Sequence, residues 1–197
     1  MRRVIALNVA ASALLAFWSS GASADEWFLH RFGELRAYHG DWLAVCDAAG
    51  AGPCRAVQIE LEGAETRVGP ARIAVHRLPG GGHATEIFMR GMADPALRDP
   101  VILALDGAIL PVPPEGWAPG EVGVPNVLES FAILGQERNA ALVAAMRAGR
   151  WLSVSWGDGG GAWGDLAGAT TGDQTRFSLR GLTAALAAIE TQLGGAE

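Results

Sequence analysis

The sequence contains no lysine, and all 15 of its basic residues are arginines. They are outnumbered by 21 aspartates and glutamates, which leaves a net charge of -6. An acidic chain with scattered arginines lacks the basic face that nucleic-acid binding requires, so we expect no nucleic-acid partner. The missing amine also excludes catalysis through a lysine side chain.

Long apolar stretches are scarce, and the most extended one lies near the N-terminus. Two arginines precede an apolar segment over residues 4–18, and the small residues at 22–24 follow it. This order is typical of a cleavable signal peptide, which we predict over residues 1–24. The alternative is an uncleaved anchor, but the segment is shorter than the roughly 20 residues that span a bilayer. We therefore expect a mature chain, residues 25–197, that is periplasmic or secreted and does not span a membrane.

Cysteine is limited to Cys46 and Cys54, separated by a loop rich in glycine and alanine. In an exported chain an even number of cysteines predicts a disulfide, and we expect these two to pair. A redox-active pair is the less favoured alternative, because such pairs usually enclose two residues and nothing nearby would lower a thiol pKa.

The pattern of apolar residues predicts many short strands and two late helices. Alternation of apolar and polar residues, bounded by turn signals, marks the strands, whereas one-sided apolar stripes mark the helices. We expect the stretch at 111–125 to be a loop anchored by Trp117, because it carries five prolines. The predicted strands lie around residues 42–46, 55–61, 72–76, 86–89, 101–105, 109–110, 131–134, 150–156, 163–170 and 175–179, and the helices around 136–148 and 182–193.

Together these elements predict one α+β domain over residues 25–197. We expect a mainly antiparallel β sheet or a small β-sandwich, with the two late helices packed on one side.

No motif for catalysis or metal binding stands out. His76 and His83 flank a glycine loop and could approach each other across a hairpin, but the spacing marks no third ligand. No Gly-x-Ser-x-Gly elbow is present, so no serine is assigned as a nucleophile. We expect no catalytic residue, no metal and no cofactor.

Tryptophan is the most unusual feature, with seven in the chain and a single tyrosine. Trp117, Trp156 and Trp163 could line a groove beside a glycine loop and form a candidate binding surface. Exposed tryptophans suit sugars, peptides and partner proteins because each offers a large rigid face with one polar atom. The competing interpretation is that these rings pack in the core.

Two segments carry a family resemblance. The first is Gly40-Asp41-Trp42 leading to Cys46 and Cys54, and the second runs from Phe177 through Leu179 and Gly181 into an alanine-rich stretch. In this order they resemble the invasion-associated locus B (IalB) family and a sister exported family of unknown function. The chain lacks the second cysteine pair of IalB-type proteins, which favours the sister family. The resemblance implies a bacterial periplasmic or surface protein, linked in some pathogens to host-cell entry, and it implies no catalytic residue.

From these observations we expect a monomeric, non-enzymatic interaction protein of the bacterial envelope, with a protein or glycan partner in the envelope or the host. A tryptophan-lined binder of glycans or small molecules is the first alternative. A hydrolase acting on envelope polymers is the second.

Overall fold

The computed structural model describes residues 26–59, 71–89, 101–119, 129–155 and 174–194. Within these ranges the chain forms twelve strands and two α-helices. No helix in them is long and apolar enough to cross a bilayer.

The strands form two antiparallel sheets. In chain order they are β1 (Phe28–Leu29), β2 (Leu35–His39), β3 (Trp42–Cys46), β4 (Cys54–Ile59), β5 (Arg72–Arg77), β6 (His83–Met89), β7 (Val101–Leu105), β8 (Ala108–Val112), β9 (Trp117–Pro119), β10 (Glu129–Ile133), β11 (Trp151–Ser155) and β12 (Gln174–Ser178). The larger sheet has eight strands in the order β1-β2-β3-β4-β5-β6-β10-β9, and the smaller has four in the order β12-β11-β7-β8. Consecutive strands are mostly neighbours in these orders, as is usual for antiparallel sheets.

The eight-stranded sheet has two unlike faces, because successive side chains of a strand point to opposite sides. Its inner face carries apolar residues that belong to the buried core, among them Ala44, Ala56, Ile73, Ile87 and Phe131. Its outer face mixes apolar residues such as Val45 and Phe88 with charged and polar ones, among them Arg55, Arg72, His76, Glu86 and Ser130.

The two helices pack on one side of the large sheet. Helix α1 (Gln136–Ala148) buries Leu142, Val143 and Met146, and helix α2 (Leu182–Gly194) buries Leu182, Ala185, Leu186 and Ile189. These residues share one core with the inner face of the large sheet and with Leu103, Leu152 and Phe177 of the small sheet. Spacings of three and four residues put each set on a single helix face. The predicted α+β class, mainly antiparallel with two late helices on one side, is confirmed.

A buried amide fixes the start of α1 against the large sheet. Asn139 is 3% exposed and lies in the first turns of the helix. Its Oδ1 accepts a hydrogen bond from the backbone N–H of Thr85 at 2.7 Å, and its Nδ2 donates to the carbonyl of Ile133 at 2.7 Å. If the pairing of β6 and β10 continued by one residue, Ile133 would face Thr85. The side chain of Asn139 binds both residues and so takes the place of their direct backbone pairing.

The disulfide between Cys46 and Cys54 is present, as the sequence predicts. It joins directly opposite residues of β3 and β4. The next pair outward, Asp47 and Pro53, is joined by a backbone hydrogen bond of 3.1 Å, which makes the cysteines the closely spaced, non-hydrogen-bonded kind of pair. Both cysteines are almost fully buried.

We expect the double variant Cys46→Ser/Cys54→Ser to lose about 2–3 kcal/mol of unfolding free energy, from the loop-closure entropy of a short loop. Urea unfolding of the oxidised wild type and the variant measures this difference. Dithiothreitol should lower the stability of the wild type towards that of the variant and leave the variant unchanged. Equal stability of oxidised and reduced wild type would contradict a stabilising bridge.

Two regions differ from the sequence prediction. The proline-rich stretch is not wholly a loop, since Trp117–Pro119 forms β9. Proline is tolerated there because β9 is an edge strand, with a hydrogen-bonding neighbour on one side only. The strands β1 and β2 were not expected, because β1 has only two residues and the alternation in β2 covers only Leu35, Arg36 and Ala37. The predicted strand at 163–170 lies outside the described residues.

Candidate functional site

Trp117 is the one member of the predicted tryptophan surface that lies within the described residues. Its side chain is buried, with 7% exposure, and its ring packs edge-to-face against Phe131 with the centroids 5.8 Å apart. The indole N–H has no hydrogen-bond partner among the described residues. Trp117 is therefore a core residue at this edge of the sheet. Trp156 and Trp163 lie outside the described residues, so the tryptophan surface stays a prediction.

The two segments that carry the family resemblance meet in space. The indole N–H of Trp42 donates to the carbonyl of Ser178 at 2.9 Å, and the backbone N–H of Asp41 donates to the carbonyl of Arg180 at 3.0 Å. The hydroxyl of Ser178 and the guanidinium of Arg180 both donate to the Asp41 carboxylate. We call this group the clasp, and its residues are Gly40, Asp41, Trp42, Ser178, Arg180 and Gly181.

The hydrogen bonds of the clasp stabilise the charged form of Asp41 and indicate a structural role. Hydrogen bonds from Arg180 and then Ser178 hold the pKa of Asp41 below its ordinary value, so the carboxylate stays charged. The Ser178 hydroxyl donates a hydrogen bond to the Asp41 carboxylate at 2.6 Å and accepts one from the backbone N–H of Arg180 at 3.2 Å. No histidine takes part in these bonds, so the arrangement does not activate the serine as a nucleophile. The clasp joins the β2–β3 turn to the entry of α2.

A second polar cluster lies on the outer face of the large sheet. Glu86 of β6 accepts hydrogen bonds from Nε2 of His76 at 3.0 Å and from Oγ of Ser130 at 2.9 Å. Arg72 stands nearby, with its guanidinium carbon 3.9 Å from the ring centroid of Phe88. The cluster thus ties together β5, β6 and β10 through one carboxylate.

The Glu86 carboxylate, like that of Asp41, is stabilised in its charged form. Burial raises the pKa of Glu86, but the hydrogen bonds from His76 and Ser130 and the charges of His76 and Arg72 outweigh it, so the pKa lies below its ordinary value. A serine nucleophile needs a general base, most often an imidazole, that accepts its proton. Here the serine and the imidazole both face the same carboxylate and not each other.

A third group of charges lies beside the disulfide. The guanidinium of Arg55 bridges Asp47, at 2.9 Å from Nη1, and Glu34, at 3.1 Å from Nη2. Arg36 donates from Nε to the other oxygen of Glu34 at 2.8 Å. Burial raises the pKa of Glu34, but Arg36, Arg55 and His30 together bring it below its ordinary value. This chain of charges braces the turn after β1 against the β3–β4 loop.

His76 and His83, whose approach across the hairpin was considered as a less favoured alternative, do not face each other. In the register of β5 and β6, His76 faces Ala84 and His83 faces Arg77, which places the two imidazoles on opposite faces of the hairpin. Burial, followed by the charge of Arg147, lowers the pKa of His83. Across the described ranges, no group of three or more histidine, cysteine, aspartate or glutamate residues is placed to hold a metal ion.

The lowered pKa values of Glu34, Asp41 and Glu86 predict acid destabilisation. Each folded-state pKa lies below an unfolded value of about 4. Their stabilisation is therefore complete above about pH 5 and is lost as the pH falls through the folded-state values. Urea unfolding between neutral pH and pH 3 measures the loss. Asp41→Asn/Glu86→Gln should flatten this pH dependence, whereas Glu115→Gln, at an exposed position, should not. An unchanged slope in the double variant would contradict the assignment.

Exposed apolar side chains gather at the N-terminal edge of the large sheet. We call this set the apolar patch: Phe28 (38% exposed), Leu29 (65%), Phe32 (69%) and Tyr38 (57%). The rings of Phe28 and Tyr38 stack with centroids 5.9 Å apart, and His30 packs edge-to-face on Phe32 at 4.9 Å. Large exposed hydrophobic side chains that cluster in this way mark interaction sites more often than isolated ones do. Sequence analysis missed this patch, although the run Trp27-Phe28-Leu29 and the nearby Phe32 signal it.

Comparison with known proteins gives no relative. No protein-family model matches the sequence, and it matches neither a curated protein nor a solved structure. The likeness to the IalB family stays a prediction from the two segments of the clasp.

Proposed function

We propose that the protein is an exported envelope protein with a non-enzymatic interaction role, and that the apolar patch is its docking surface. The exposure of Leu29 and Phe32 carries this proposal, because about two thirds of each side chain is accessible to solvent. Leaving such side chains in water is unfavourable, and a partner that covers them gains roughly 25 cal/mol for each Å² removed from water.

The covalent chemistry of the chain supports an exported location. The buried disulfide between Cys46 and Cys54 suits an oxidising compartment, as do the signal peptide predicted at 1–24 and the absence of any other cysteine. The periplasm or the cell exterior is therefore the proposed location. An IalB-like role in association with a host is consistent with it, with a protein or glycan as the partner expected from the sequence.

The polar clusters favour interaction over catalysis. The hydroxyls of Ser178 and Ser130 both donate to carboxylates that other residues also bind. Each carboxylate has a pKa below its ordinary value, which makes it a weak general base near neutral pH. These polar groups bind one another within the fold, whereas the side chains of the apolar patch are exposed to solvent.

Retention on cell envelopes tests the proposal. Mature protein is incubated with envelopes isolated from the producing cells, and the bound fraction is measured after washing. We expect Leu29→Ser/Phe32→Ser to lose most of the binding. The control variant Leu110→Ser/Leu134→Ser changes two other exposed leucines, at 38% and 40% exposure, and should bind as the wild type does. Equal retention of all three proteins would contradict the proposed docking surface.

A further inference from the structure

The apolar patch surrounds the end of a hairpin. Phe28 and Leu29 follow each other on β1, so their side chains point to opposite faces of the sheet. Phe32 lies in the turn that leads from β1 to β2, and Tyr38 stands beside Phe28 on the outer face. A flat partner could contact only one of these faces at a time. A partner that covers the whole patch must surround the hairpin end and contact both of its faces.

Pairing of an added strand does not fit this edge. Strand β1 is only two residues long, and it is the first strand of the sheet order. Short edge strands offer few free backbone groups and are a common protection against strand addition. An extended peptide or a second copy joined through β1 would gain almost no backbone hydrogen bonds. Side-chain burial must therefore supply the binding.

The hairpin end carries an exposed cation, Arg31. Arg31 is exposed, its guanidinium carbon lies 4.8 Å from the ring centroid of Phe32, and it forms no ion pair with any described residue. His30 adjoins it, whereas the nearby Glu34 is already bound by Arg36 and Arg55. Apolar and aromatic side chains flanked by an exposed arginine match the boundary between lipid headgroups and acyl chains.

The hairpin end is also held in one shape before binding. The backbone N–H of His30 donates to Glu34 and that of Gly33 to His30, both at 2.8 Å, and Ala49 donates to Gly33 at 2.7 Å. A preformed tip loses little conformational entropy on insertion.

We propose that the apolar patch docks on a phospholipid surface, with Leu29 and Phe32 entering the headgroup boundary and Arg31 bound to a lipid phosphate. This inference rests on the proposed function and names the occupant of its docking surface. The protein attaches to the membrane surface by this hairpin end.

Flotation with vesicles tests the inference. Vesicles of phosphatidylethanolamine and phosphatidylglycerol are compared with vesicles of phosphatidylcholine alone. We expect wild-type protein to float with the first mixture, and Leu29→Ser/Phe32→Ser to bind at least about tenfold more weakly, from the apolar area removed. Arg31→Gln should weaken binding about fivefold on the anionic vesicles and less on phosphatidylcholine. Leu110→Ser/Leu134→Ser should bind as the wild type does. Thermal unfolding of each variant establishes that it is folded.

Two results would overturn the inference. Wild-type protein that does not float with either vesicle excludes a lipid occupant. If flotation fails but envelope retention still depends on Leu29 and Phe32, the partner at the apolar patch is a protein or a glycan. The proposed function then remains supported. A dimer in size-exclusion chromatography with light scattering that Leu29→Ser/Phe32→Ser dissociates would instead make the occupant a second copy of the chain.

Discussion

Replacing Gly181 with alanine is expected to prevent stable folding of the protein. A Cβ at this position would overlap the carbonyl oxygen of His39 and lie 2.7 Å from its carbonyl carbon. Both obstacles are backbone atoms, so no side chain can rotate away to make room. Residue 181 also has a positive φ of 101°, which side-chain-bearing residues adopt at a cost. We expect a loss of about 4 kcal/mol or more, which is a large part of the stability of an ordinary domain.

Two glycines separate the effect of the overlap from that of the dihedral angle. Gly107 has a φ of +87° but no atom within 4 Å of a Cβ, so Gly107→Ala should cost about 1–2 kcal/mol from backbone conformation alone. Gly194 has neither a positive φ nor a close atom, and Gly194→Ala should be neutral or slightly stabilising. Chemical unfolding of the three variants gives the comparison. A Gly181→Ala protein as stable as Gly107→Ala would refute the close approach in the clasp.

Removal of the Asn139 amide is expected to have the second largest effect. Asn139→Ala breaks the hydrogen bonds to Thr85 and Ile133 and leaves a buried N–H and a buried carbonyl without these partners. A buried polar group without a hydrogen bond costs about 1–3 kcal/mol, so we expect a loss of about 3 kcal/mol from the pair. Urea unfolding measures the change in free energy.

An exposed residue of the same helix turn provides the matched control for Asn139. Gln136→Ala should stay within about 0.5 kcal/mol of the wild type, as surface substitutions usually do. Hydrogen exchange adds a local measurement, because the Thr85 amide should lose protection in Asn139→Ala and keep it in Gln136→Ala. A fully protected Thr85 amide in the alanine variant would show that another acceptor holds it.

Much of the fold follows from local patterns in the sequence. The strands Trp42–Cys46 and Val101–Leu105 and the helix Gln136–Ala148 have the bounds that alternation, turn residues and apolar spacing predict. These signals involve residues close together in the chain, so they can be recognised without knowledge of the tertiary structure. Strand β1 was missed because its two residues are exposed and owe their conformation to pairing with β2.

The clasp shows what the sequence could not reveal. The resemblance singled out Asp41, Trp42 and Gly181, but their roles depend on partners far along the chain. Trp42 binds the carbonyl of Ser178, which is 136 residues away, and Gly181 is required by the carbonyl of His39. No spacing rule links such positions. The abundance of tryptophan likewise drew attention to residues such as Trp117, which is buried, and away from the exposed residues of the apolar patch.

The clasp links two distant segments of the fold, and the apolar patch is the proposed docking surface. The two can be separated experimentally, because Asp41 lies in the clasp and Leu29 and Phe32 lie at the hairpin end. Asp41→Asn removes a charged acceptor of Ser178 and Arg180 and should lower the unfolding midpoint. Leu29→Ser/Phe32→Ser should leave that midpoint nearly unchanged.

Envelope retention of these two folded variants, measured well below their unfolding midpoints, tests whether the apolar patch is the docking surface. We expect Asp41→Asn to bind envelopes as the wild type does and Leu29→Ser/Phe32→Ser to lose most of its binding. Binding that is lost in folded Asp41→Asn and kept in Leu29→Ser/Phe32→Ser would place the functional site at the clasp and contradict a docking role of the apolar patch.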